Sequence, residues 1–138
     1  MMEEKIKILY VDDEPMNLML FSAMFSDNYV VIESGSGIEA LEILKAEQDI
    51  KVVISDMKMP RMDGMEFIAC AKEVSPHIDF YMLSGYEITQ EVQEAIDAGL
   101  IIKYFQKPFM RDVIDKAIKA SGIRRLATDI TLYPGKGE

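Results

Sequence analysis

The sequence predicts an α/β fold, a doubly wound parallel sheet of the (βα)5 type with helices on both faces. Three observations predict it. Short apolar runs of strand length alternate with stretches of helical spacing, five times from end to end. Four of those runs are followed closely by polar side chains: Asp12 and Asp13, Asp56, Ser84, and Lys107. Open parallel sheets place their sites at that carboxyl edge. A chain of 138 residues, 49% hydrophobic and 28% charged, also suffices for one domain with a real core.

Ile6–Val11 is an apolar run bounded by acids, the pattern of a buried strand. Pro15 suits the first turn of a helix, where its missing N–H costs no hydrogen bond. Leu18, Phe21 and Phe25 form the inward stripe of that helix, and Asn28 ends it. Tyr29–Ile32 is the second strand. Ser36 with Glu39 three residues on reads as a capping box, opening a helix with Ile38, Leu41 and Leu44 inward. Val52–Ser55 is the third strand. The stretch from Asp56 to Asp63 contains Pro60 and leads into Gly64, so it reads as a loop. Met65, Ile68 and Lys72 follow helical spacing as far as Pro76. Ile78–Leu83 is the fourth strand. Val92 and Ile96 mark a helix that Gly99 terminates. Lys103–Phe105 is a short fifth strand. Phe109, Val113 and Ala117 give the last helix, with Gly122 near its end. The domain therefore covers residues 1–122. Residues 123–138, with Pro134-Gly135-Lys136-Gly137, read as a C-terminal tail or the start of a linker.

The formal net charge of −9 argues against direct binding of nucleic acid, which needs a basic footprint. It suits metal cations or a basic partner surface. The longest apolar stretches fall well short of the ~20 residues of a membrane span. The opening Met-Met-Glu-Glu-Lys lacks the apolar core of a signal peptide. The single cysteine, Cys70, forms no internal disulfide, and a cytoplasmic location is the default expectation. Cys70 reads as a small core residue and His77 as ordinary surface. Met57, Met59, Met62 and Met65 gather beside Asp56, where adaptable methionines suit loop packing first and an interaction surface second.

In the flavodoxin-like strand order 2-1-3-4-5, strands one, three, four and five are neighbours. Those are the four that carry polar ends. Three carboxylates held together repel one another, and a hard divalent cation relieves the conflict. Mg²⁺ (or Mn²⁺) suits such oxygen donors, with one or two carboxylates and phosphate oxygens as its usual partners. Asp56 alone follows the central strand, which makes it the candidate nucleophile for a phosphoryl group. The cation and Lys107 would neutralise charge, and the Ser84 hydroxyl would bond a phosphoryl oxygen. Singly, each residue has a plainer reading. Asp12 and Asp13 suit a helix N-terminus, Ser84 a turn, Lys107 a solvated surface and Tyr104 strand packing. For the acids, Ser84 and Lys107, joint placement at four strand ends outweighs those readings; for Tyr104 strand packing stands as the plain reading.

Four segments carry a resemblance: Val11-Asp12-Asp13-Glu14-Pro15; the run from Ile54 to Gly64 with Asp56, Lys58, Pro60 and Asp63; Leu83-Ser84-Gly85; and Tyr104-Phe105-Gln106-Lys107-Pro108-Phe109. Over residues 5–121 the chain resembles the receiver domain of two-component response regulators. The resemblance implies that Asp56 is the phospho-acceptor, supplied by a phosphohistidine on a sensor histidine kinase or a histidine phosphotransfer protein. It implies that Asp13 and Asp56 bind Mg²⁺ directly, with Asp12 acting through water and the main-chain carbonyl of Lys58 as a further ligand. Lys107 and Ser84 would contact the phosphoryl group, and Lys107–Pro108 would be a cis peptide, which proline permits. Ser84 and Tyr104 would be the switch, altering the surface of the fourth helix, fifth strand and fifth helix. A homodimer is compatible with this reading; membrane binding is not expected.

Gly85, the pair Lys58 and Tyr86, and the stretch from Gly99 to Lys103 depart from the usual pattern. Gly85 stands where alanine is common. Lys58 and Tyr86 flank the path of hydrolytic water, and their bulk and charge would slow loss of the phosphoryl group. The stretch from Gly99 to Lys103 lacks the acidic pattern of receivers joined to winged-helix domains, which weakens the case for that dimer mode. Two other functions compete. A haloacid-dehalogenase-like phosphatase would place its nucleophile after the first strand with an aspartate two residues on, but Glu14 stands there and Asp56 would have no role. A pseudo-receiver that only binds is opposed by the intact Asp12, Asp13, Asp56 and Lys107.

Overall fold

The structure, a computed structural model, describes residues 5–85, 87–108 and 110–132, with side chains described as far as residue 121. In chain order the elements are β1 (Lys7–Val11), α1 (Pro15–Phe25), β2 (Val30–Ser34), α2 (Gly37–Ala46), β3 (Val52–Asp56), α3 (Gly64–Val74), β4 (Asp79–Ser84), α4 (Gln90–Asp97), β5 (Lys103–Gln106) and α5 (Arg111–Leu132). All strand pairs are parallel, and the order is β2-β1-β3-β4-β5, as the sequence predicts. The chain divides after Pro108 into two compact units; the first holds the sheet and α1–α4, the second α5.

Alternation along the strands sends side chains to two faces. On one, Leu9, Val11, Val53, Phe80 and Met82 pack with Ala40 and Leu44 of α2, Phe67, Ile68 and Ala71 of α3, and Val92 and Ala95 of α4. On the other, Tyr10 of β1 stacks on Phe21 of α1, centroids 4.0 Å apart and planes within 5°. Phe25 continues that file 4.5 Å from Phe21. The central strand β3 is buried along its whole length, and its Val-Val-Ile run is what a parallel strand covered on both faces requires. Each fully buried side chain of this size contributes about 1.5–3 kcal/mol. The registers bring the strand ends level: Val11 lies opposite Ser55, Asp56 opposite Leu83 and Ser84 opposite Gln106.

Several details differ from the sequence expectations. Asp56 and Ser84 are the last residues of their strands rather than the first residues beyond them. On α2, Ile38 is 51% exposed, and Gly37, Ala40 and Leu44 are buried instead. Close packing selects small residues there, since a Cβ on Gly37 would lie 3.0 Å from the Met62 sulfur. Ser36 caps α2 by accepting from the Glu39 amide at 3.1 Å, but the Glu39 carboxylate bonds the Gly35 amide rather than closing a box. The full reciprocal box sits at α3, between Asp63 and Glu66. Cys70 is exposed, because α3 turns Phe67, Ile68 and Ala71 inward. In α5, Ile114, Ile118 and Ser121 are buried and Val113 is 46% exposed, so the inward stripe is one residue out of phase with the expected one. Phe109 lies outside the described residues. Helix α5 also continues through Gly122 to Leu132. A glycine costs a helix only about 1 kcal/mol, which neighbouring helix formers offset. Gly99 does follow α4, with φ of 81°.

Candidate functional site

β1 delivers the first acids. The Asp12 amide continues the sheet ladder by donating to the Ser34 carbonyl at 3.0 Å. The Glu14 amide donates to Asp12 Oδ1 at 3.0 Å, turning the chain so that Pro15 opens α1. Asp12 is fully buried and Asp13 is exposed. Tyr10, two residues back and so on a matching side of the strand, donates its hydroxyl to Asp12 Oδ2 at 2.8 Å. The Lys107 ammonium donates to that same oxygen at 3.1 Å and stands 3.4 Å from Asp56 Oδ1.

Asp56 is 7% exposed, and the Met57 amide donates to its Oδ1 at 2.9 Å. One carboxylate oxygen from each of Asp12, Asp13 and Asp56 lies within 4.8 Å of the others. Burial pushes the Asp56 carboxyl up to about 6, with the Asp12 charge adding to it; Lys107 and the Met57 amide pull the other way without cancelling. Burial, then the Asp12 charge, push the Tyr10 phenol upward, so it stays protonated and donates. One ammonium set among three carboxylates leaves an excess of negative charge. The donor set is all oxygen, partly open at Asp13, and suits a hard divalent cation.

Ser84 ends β4 fully buried, and its carbonyl accepts from the Lys107 amide at 2.7 Å, which ties the two strand ends together. The Lys107–Pro108 peptide is cis. Gly64 packs closely against Asp56: its amide donates to the Met57 carbonyl at 2.8 Å, and a Cβ there would stand 2.3 Å from the Asp56 carbonyl oxygen. Met59 is buried in the core, and Met57, Met62 and Met65 pack partly buried against it, consistent with loop packing. Lys58 is exposed in the loop after β3, and His77 is exposed after α3. Tyr86 lies outside the described residues. Tyr104 is half-buried on β5, its hydroxyl without a hydrogen-bond partner among the described residues. It lines an open cleft of about 650 Å³ with Ile88, Gln93, Ile96 and Ile102.

The structure thus brings together Asp12, Asp13, Asp56 and Lys107, with Ser84 joined to Lys107 through the backbone. Two residues escaped the sequence reading. Tyr10 was legible in principle, because it stands two residues before Asp12. Gly64 was noticed only as a turn residue, since its close approach to Asp56 depends on how α3 docks.

The chain is similar to several known proteins over most of its length. Sporulation initiation phosphotransferase F of Bacillus subtilis is 33% identical over 120 residues, covering 86% of this chain and 94% of that protein. Sensor kinase CckA of Brucella abortus is 35% identical over 113 residues, and transcriptional regulatory protein GlrR of Escherichia coli 32% over 112. Those matches cover 81% and 80% of this chain but only 12% and 25% of the two longer proteins. Among solved structures, a response regulator receiver domain protein of Clostridium thermocellum superposes with a TM-score of 0.83 at 30% identity, covering 89% of this chain and 98% of that one. The chemotaxis protein CheY4 of Vibrio cholerae gives 0.76 at 27% identity, covering 85% and 98%. No described helix is long and apolar enough to cross a membrane. The sequence pattern of the response regulator receiver domain matches residues 8–119, the span that carries all four strand ends, and the chain belongs to that family of two-component signalling domains.

Proposed function

We propose that this domain accepts a phosphoryl group on Asp56 in a Mg²⁺-dependent reaction and passes the change to its α4–β5 surface. The observation that supports this most is the Lys107 ammonium, held between the carboxylates of Asp12 and Asp56 at the edge where Asp13 opens to solvent. The donor is a phosphohistidine on a sensor histidine kinase or a histidine phosphotransfer protein. An oxygen of the ionised Asp56 carboxylate attacks phosphorus. The O–P bond forms as the N–P bond breaks, and its electron pair stays on the imidazole nitrogen, which then takes a proton. Asp13 and Asp56, with Asp12 through water and the Lys58 carbonyl, would hold Mg²⁺ (or Mn²⁺), which when bound neutralises charge on the phosphoryl oxygens.

The protein's own part is positioning and charge. The Met57 amide orients the Asp56 carboxylate. Lys107 turns from the carboxylates to a phosphoryl oxygen, and the Ser84 hydroxyl donates to another. As Ser84 moves, Tyr104 turns inward, and the surface that reads the signal changes shape. Lys58 and Tyr86 slow hydrolysis; a Tyr86→Ala variant that loses its phosphoryl group no faster would count against that role. The relatives span a phosphotransferase, a sensor kinase and a transcriptional regulator, so the output belongs to whatever partner or domain reads this surface.

Incubation with acetyl phosphate tests the reading. Intact mass should rise by one phosphoryl group in Mg²⁺, and not in chelator or in Asp56→Asn. Uptake by Asp56→Asn, or release of free phosphate from simple esters with turnover, would refute it.

A further inference from the structure

We propose that Tyr10 is a positioning residue for phosphoryl transfer: its hydroxyl holds Asp12 while Lys107 moves to the phosphoryl group. The inference rests on Asp56 being the acceptor. Asp12 is a fully buried anion with three donors: the Tyr10 hydroxyl at 2.8 Å, the Lys107 ammonium at 3.1 Å and the Glu14 amide at 3.0 Å. Tyr10 and Lys107 share one oxygen, Oδ2. Lys107 is closer to that oxygen than to Asp56, from which it stands 3.4 Å. To serve a phosphoryl group on Asp56, the ammonium must loosen its hold on Asp12.

A buried carboxylate oxygen stripped of its donors is costly. Tyr10 keeps Oδ2 bonded when the lysine leaves, so the move becomes easy. The phenol ring is fully buried, so its hydroxyl meets Oδ2 away from bulk water. Among the described residues, replacing it with an apolar ring would leave Lys107 as the sole side-chain partner of Asp12 Oδ2. The lysine would then stay on Asp12, and Asp56 would be phosphorylated slowly. Tyr10 touches neither phosphoryl donor nor acceptor and acts only through Asp12 and Lys107.

The test compares wild type, Tyr10→Phe and Phe21→Leu. Mg²⁺ affinity is measured by calorimetry, and phosphorylation by acetyl phosphate is timed at saturating Mg²⁺. Tyr10→Phe should phosphorylate about tenfold more slowly, as expected for loss of one charge-assisted hydrogen bond, and excess Mg²⁺ should not restore the rate. Phe21→Leu should lower the melting temperature yet keep a near wild-type rate. A wild-type rate in Tyr10→Phe overturns the proposal. So does a defect that saturating Mg²⁺ repairs, which would place the hydroxyl in cation binding alone, or an equal loss in Phe21→Leu, which would make it packing. Should Tyr10→Phe fold poorly, the same rates are timed in sucrose, which favours the folded state without restoring the hydroxyl, under the same criteria. Failure of wild type itself to take a phosphoryl group would refute the acceptor reading instead.

Discussion

At the scale of single residues, the site is a balance between one half-buried ammonium and an excess of carboxylates. Asp56 is the group whose charge is least welcome, with its carboxyl pushed up to about 6 by burial and by Asp12. The consequence for stability has a definite sign. A carboxyl bound more tightly to its proton when folded contributes stability that is fully present below its unfolded value near 3.8 and is lost as pH rises through about 6. The metal-free domain should therefore gain stability in Asp56→Asn, by about 3 kcal/mol at pH 7 for a shift of this order, and by progressively less toward pH 4. Urea titrations of both proteins in chelator across that range check this; a difference that does not vary with pH would contradict it. Removing the cation partner acts in the opposite sense. Lys107→Ala leaves Asp12 buried without its counter-charge and should cost about 3 kcal/mol, read by the same titrations. The acids and the lysine were legible in the sequence because each follows an apolar run. That Asp12 is buried while the adjacent Asp13 is exposed was not, since two neighbouring residues differ only once the strand's faces are assigned.

At the scale of elements, the loop from β3 to α3 sets the position of Asp56. The Asp63–Glu66 capping box fixes the start of α3, and Gly64 sits directly under the Asp56 carbonyl. A methyl group at Gly64 would lie 2.3 Å from that oxygen and 2.9 Å from the Met57 Cα. Gly64→Ala should thus destabilise the domain by about 1–3 kcal/mol and slow phosphorylation by displacing Asp56; thermal melts with timed acetyl phosphate labelling would show both. An Ala variant with wild-type stability and rate would mean that α3 shifts freely, contrary to this account. Element type and order were readable from alternating periodicity. Helix phase was read less well. In α2, Ile38 looks like a core residue by hydrophobicity, yet Gly37 and Ala40 are buried because α2 packs too closely for larger side chains. In α3 a small sulfur residue, Cys70, looked buried and is exposed. Hydrophobicity alone does not report how close two helices come, and that distance decides which face turns inward.

At the scale of the molecule, the strand order β2-β1-β3-β4-β5 makes neighbours of the four strands whose ends carry chemistry and leaves β2 at the edge. This was the most legible feature of the chain, because the fold rule and the distribution of polar ends point to one topology. With a net charge of −9 and three acids converging at one edge, a cation bound there would stabilise the domain. Mg²⁺ at about a hundred times its dissociation constant should add about 2.7 kcal/mol, seen as a higher melting temperature at pH 7. The increment should shrink below about pH 6, where protons compete for Asp56. An increment equal at pH 5 and pH 7 would place the cation elsewhere. The most direct measurement of the central claim is chemical trapping. Protein phosphorylated with acetyl phosphate is reduced with borohydride, which converts an aspartyl phosphate to homoserine, and its peptides are mapped by mass spectrometry. Homoserine at position 56 alone is the expected result; homoserine at position 12 or 13, or none in protein that carries the phosphoryl group, would contradict it.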